Sequence, residues 1–146
     1  MLNYHFGGRD GLVAAVVEAI ESQQRDALAA LADAAPTPRA LVEAQWAQLT
    51  EPELRPYVAL FFEVLALALR ERPGTDGFLD DLTDSWLELG LRIAEQHRWA
   101  TDRDDLRLGV AVSRGLLIEV LASGDVEGPT RSLQRFLDLW ETGATA

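Results

Sequence analysis

Four polar side chains stand isolated in apolar stretches, and any chemistry would have to start from them: Gln45, Glu63, Arg114 and Glu119. Taking such a group out of water is costly unless it is paired or hydrogen-bonded. Each must therefore face solvent, find a partner inside the fold or meet a ligand. Glu63 would suit a cationic ligand, or Glu63 and Arg114 pair with each other. Catalytic chemistry is harder to assemble. The two histidines, His5 and His97, lie 92 residues apart, and neither belongs to a two-histidine helix motif. With no cysteine, the chain has no disulfide, thiolate metal site or cysteine nucleophile. The acidic groups at 80–84 and 102–105 follow the logic of helix starts and lack the spacing of a calcium loop. No glycine-rich phosphate loop or nucleophile elbow is present. The expectation is a protein that is not an enzyme, with no catalytic residue, no metal and no cofactor.

The elements that must position these residues are helices. Leu12, Val16, Ile20, Ala27, Leu28 and Leu31 recur at helical steps and predict one stripe of a long first helix over 9–34. Thr37 can cap a second helix over 38–50 with Pro38 in its first turn, its inner face being Leu41, Val42, Gln45, Trp46 and Leu49. From Tyr57 to Leu69 the side chains are apolar all round except at Glu63, which predicts a central helix within 54–72, regular from Pro56 and stopped by Pro73-Gly74. A fourth helix is expected over 75–98, with Asp76, Asp80 and Asp81 near its start, and Phe78, Leu82, Trp86, Leu89 and Ile93 on its stripe. Gly90 in its interior points to a close helix contact or to room for a ligand. Asp102 caps a fifth helix that ends at Gly124, and a sixth runs from about Pro129 to Trp140 before a frayed "TGATA" tail. The class is an all-α bundle.

Composition sets the outer bounds. The chain has 146 residues, 48% of them hydrophobic, which is enough for one domain with its own core. Its 13 basic side chains are all Arg, against 24 acidic ones, for a net charge of −11. The absence of Lys fits a coding bias. The acidic balance argues against this chain holding DNA by itself, since phosphate binding needs clustered Lys and Arg. The apolar run at 57–69 is interrupted by Glu63 and far short of a membrane span, so no membrane partner is expected, and the lack of cysteine fits the reducing cytoplasm in which the chain is placed.

The opening "LNYHFGGRDGLVAAVVEAI" resembles the signature of TetR-family transcriptional regulators, in which an aromatic-rich end of the recognition helix is followed by a glycine turn and the helix that joins the DNA-reading head to the body. The resemblance implies an all-α helical bundle like the family's C-terminal regulatory domain. Residues 1–8 would be the remnant of the helix-turn-helix, and 9–146 the effector-binding and dimerisation domain. It further implies that most base-reading positions of the motif lie ahead of Met1, through a late-assigned start codon, trimming or a truly headless protein. Operator DNA would be a partner where those helices are present, with Asn3, Tyr4, His5 and Arg9 on the phosphates, and Leu2, Phe6 and Leu12 packing head to body. The family's effectors occupy an apolar cavity among the helices at 38–50, 54–72, 75–98 and 102–123. Its ligand-binding residues would correspond here to Gln45, Trp46, Phe61, Phe62, Glu63, Trp86, Leu89 and Arg114, unless those aromatics are plain core. A homodimer is expected through the last two helices, with Val110, Leu117, Leu121, Phe136 and Trp140 at the interface or in the core. The function implied is a ligand-responsive regulator, a repressor, that binds a small apolar or amphipathic molecule. The rival is a headless module that sequesters ligand or pairs with a full-length relative and blocks its DNA binding.

Overall fold

The computed structural model describes residues 8–145, and the side chains of 8–143. Asn3, Tyr4 and His5, with Leu2 and Phe6, lie outside the described residues. Within them the chain forms six α-helices and no strand: α1 (Gly8–Ala34), α2 (Pro38–Leu49), α3 (Arg55–Leu69), α4 (Asp84–His97), α5 (Arg103–Ser123) and α6 (Glu127–Thr145), with a single 3₁₀ turn at Pro52–Leu54. Helix α1 packs on α2, α3 and α4, while α5 joins α4 to α6.

Local chemistry sets most of the boundaries. Thr37 is extended, its hydroxyl accepts from the Ala40 N–H at 3.1 Å, and Pro38 opens α2. Asp102 and Asp105 form a reciprocal capping box, the Asp105 N–H donating to Asp102 at 2.9 Å and the Asp102 N–H to Asp105 at 3.2 Å. Gly124, at φ 74°, closes α5. The 3₁₀ turn opened by Pro52 runs straight into α3, whose first turn holds Pro56.

Three elements depart from the sequence reading. The buried side of α1 is Gly11, Ala14, Val17, Leu28 and Ala32, whereas Val16 is exposed. Small residues there let α1 lie close to α3, which rotates the stripe by about one residue from the one built on Leu12 and Val16. Helix α4 begins at Asp84, not near 75. Residues 70–83 instead form a turn-rich strap in which Gly74 and Gly77 sit at φ 85° and 81°, and the Thr75 hydroxyl donates to the Arg72 carbonyl at 2.7 Å. Asp81 is thus not a first-turn residue; its carboxylate accepts from the Ser85 N–H at 3.1 Å and holds the entry to α4 from outside. Finally, α6 starts two residues earlier than expected and continues through the "TGAT" tail to Thr145.

Three apolar clusters divide the interior. Ala14, Val17, Phe61, Val64, Ala68 and Phe78 join α1 and α3 to the strap. Leu28, Ala32, Leu41, Leu89 and Ile93 join the C-terminal half of α1 to α2 and α4. Trp46, Leu117, Val120, Leu133 and Leu137 join α2 to α5 and α6. A surface triad reinforces the third junction, with Arg39 of α2 reaching Asp138 at 2.7 Å and Glu141 at 3.1 Å on α6.

Candidate functional site: an interior cavity with a polar end

The space between the three clusters is a cavity of about 190 Å³ lined by all six helices. That is room for on the order of six waters at roughly 30 Å³ each. Its walls are apolar: Val17, Ile20 and Leu28 from α1, Leu41 and Val42 from α2, Phe61 and Phe62 from α3, Trp86 and Ile93 from α4, Val110 and Leu117 from α5, Phe136 and Trp140 from α6. Gly90 permits α4 to approach α5, since a Cβ there would stand 2.9 Å from the Leu106 side chain. Gly109 also lines the cavity, and a Cβ on it would meet nothing within 4 Å.

Polar groups gather where α1, the strap, α4 and α5 converge. Glu21 and Arg114 both line the cavity. The Trp86 indole N–H donates to Glu21 at 2.7 Å, and the Arg25 guanidinium lies 5.9 Å from the Trp86 ring centre. Arg114 donates to the Thr83 hydroxyl at 2.9 Å and to the Leu82 carbonyl, and its guanidinium stands 5.1 Å from the Phe61 ring centre. Burial pushes the Glu21 carboxyl above the ordinary carboxylate range, against the lowering pull of the Trp86 N–H and of Arg114 and Arg25. Burial lowers the Arg114 pKa in turn, while the Glu21 charge pulls it back up. Gln24, Gln45 and Ser113 add neutral hydrogen-bonding groups to the lining.

Of the ligand residues read from sequence, Gln45, Phe61, Phe62, Trp86 and Arg114 line this cavity. Three do not. Trp46 is buried in the third cluster, its indole N–H donating to the Thr130 hydroxyl at 2.8 Å, so it ties α2 to α6. Glu63 is exposed on the outer side of α3, which removes both a buried cation site and its pairing with Arg114. Leu89 packs in the second cluster, on the side of α4 turned to the C-terminal half of α1. Glu119, the fourth isolated polar residue, is exposed. Of the interface or core candidates, Val110, Leu117, Phe136 and Trp140 line the cavity, and Leu121 is half-buried. The exposed apolar side chains on the last two helices are instead Leu108, Ile118 and Leu139. Arg9 is exposed on the first turn of α1.

Sequence reasoning missed Glu21. It sits at helical steps between Val17 and Leu28, so a stripe drawn through those two would have shown a carboxylate inside an apolar face. Among the described residues there is no cluster of side chains able to hold a metal ion. None of the described helices is long and apolar enough to cross a membrane.

Fold and site together define an all-α helical bundle built around an apolar cavity with one charged, hydrogen-bonded end. No family model, curated protein or solved structure matches the chain.

Proposed function

We propose that this chain is the effector-binding and dimerisation body of a TetR-like, ligand-responsive transcriptional regulator, a repressor whose effector is a small apolar or amphipathic molecule. The observation that carries the reading is the cavity: six helices surround an apolar space with a few placed polar groups, the usual make-up of a small-molecule site. The opening signature "LNYHFGGRDGLVAAVVEAI" supports the regulator class.

A route for signalling lies in the strap. Its last residues, Leu82 and Thr83, are held by Arg114 at the cavity, and Phe78 in its middle is buried beside Phe61 and Ala14. At its start Arg72 pairs with Asp10 in the first turn of α1 at 3.1 Å. An effector that shifts Arg114 therefore bears, through the strap, on the end of α1 where the signature places the DNA-reading head. The shift extends only as far as the effector binds the two arrangements with different affinity.

The direct test is native mass spectrometry of the purified chain, run gently enough to keep a molecule carried from the host cell. A retained apolar adduct, lost on Phe62→Glu within the cavity, is the expected result. A folded chain that takes up no member of an apolar small-molecule library and shows no thermal shift with any of them would overturn the reading.

A further inference from the structure

We infer that the cavity selects neutral amphipaths, molecules with an apolar body and an uncharged hydrogen-bonding head such as a hydroxyl or carbonyl, over carboxylates and amines of the same body. This rests on the reading of the cavity as an effector site and specifies its chemistry.

The argument is one of charge balance. Among the described residues, three charged side chains line the cavity: Glu21, Asp105 and Arg114. Asp105 belongs to the capping box at the start of α5, where its carboxylate accepts from the Asp102 N–H and lies at the positive end of the helix. Glu21 and Arg114 remain, an acid and a base of opposite charge on the wall of the same cavity. Both are already held by the protein, Glu21 by the Trp86 indole and Arg114 by Leu82 and Thr83. Nearby charges outside the cavity are also occupied: Arg25 lies over the Trp86 ring, and Asp81 accepts from Ser85. The polar end is therefore electrically matched before a ligand arrives. A carboxylate or ammonium seated at that end would bring an unmatched charge against largely apolar walls, which is costly. A neutral head brings none and still finds Arg114, Glu21, Gln24 or Ser113 as hydrogen-bonding partners.

Three probes with one body separate these cases: 1-octanol, octanoate and octylammonium, titrated at pH 7. Trp86, Trp99 and Trp140 line the cavity and supply a fluorescence signal, with calorimetry as a second readout. Octanol is expected to bind at least tenfold more tightly than either ion. Glu21→Gln keeps an acceptor for Trp86 but leaves Arg114 unmatched, so octanoate should gain at least tenfold relative to octanol. Arg114→Gln should favour octylammonium by a similar factor, with circular dichroism checking its fold. An ion that binds the unaltered chain as well as octanol overturns the inference and leaves the effector reading standing. So does a Glu21→Gln chain with unchanged preference. Failure of all three probes to bind any of the chains overturns both.

Discussion

At the scale of single residues, Glu21 is where the fold stores a cost for the sake of a site. Its folded pKa stands above the ordinary value, chiefly through burial. A carboxyl that holds its proton more tightly when folded makes stability fall as pH rises from the ordinary glutamate range through the raised folded value, with the full penalty present above it. Glu21→Gln removes the ionisation and keeps the acceptor for Trp86. The variant should gain on the parent as pH increases through that window. Urea unfolding across a pH series measures this, and a constant difference would contradict it. Two glycines in the lining make a second contrast. Gly109→Ala adds a methyl to open space and gains helix propensity of up to about 1 kcal/mol, while narrowing the cavity and weakening octanol. Gly90→Ala brings a Cβ to 2.9 Å from the Leu106 side chain, whose methyls must shift to make room, and that overpacking offsets its propensity gain. Thermal melts should therefore rise less for Gly90→Ala than for Gly109→Ala.

At the scale of elements, two helix ends use the wrong residue for their geometry. The Arg72 N–H returns to the Leu67 carbonyl at 3.1 Å and the Glu71 N–H to Ala68 at 3.0 Å, a Schellman ending with Glu71 in the left-handed region at φ 54°. Helix α4 ends the same way, the Trp99 N–H reaching Ala94 at 2.8 Å with Arg98 at φ 58°. A side chain with a Cβ costs roughly 1–2 kcal/mol in that region. Glu71→Gly and Arg98→Gly should each stabilise the chain by about 1 kcal/mol, read as a higher denaturation midpoint with unchanged slope. A loss of stability in both would show that their side chains contribute more than the strain costs. These ends also explain what sequence could and could not convey. Thr37-Pro38, Asp102 with Asp105, and Gly124 announce their helices because cap chemistry is local. Glu71 and Arg98 carry no glycine signal, so Pro73-Gly74 took the credit for ending α3. The acidic run before Asp84 read as a helix start because its charges suit one, although positive-φ glycines and the buried Phe78 make it a strap. For the site, aromatics in apolar runs were legible and Glu21 was not. The phase of α1 depends on which face α3 accepts, and that is a tertiary fact.

At the scale of the whole molecule, the remaining question is what covers the outside of α5. Its apolar residues divide by helical phase: Leu106, Val110 and Leu117 face the cavity, while Leu108, Ala111, Gly115 and Ile118 recur at steps of three and four on the exposed side. Leu108 and Ile118 are about half exposed, at 53% and 52%, and Leu139 on α6 reaches 59%. Scattered exposed leucines need no explanation, but an aligned apolar and small-residue stripe along one helix does. Under the proposed function it meets its twin across a two-fold axis, where one stripe can serve both sides. Gly115, with open space around the position of a Cβ, would let the helices approach closely. Ile118→Glu isolates this claim. On a monomer an exposed substitution of this kind shifts stability by no more than about 0.5 kcal/mol, whereas in a dimer it buries two charges against each other. Sedimentation should show the parent as a dimer with a concentration-dependent melting temperature, and Ile118→Glu as a folded monomer that still binds octanol. Gly115→Leu should weaken the dimer by crowding the axis without changing the charge. A parent chain that sediments as a monomer, with Ile118→Glu indistinguishable from it, would remove the dimer from the proposed function and leave the cavity as the molecule's one argued site.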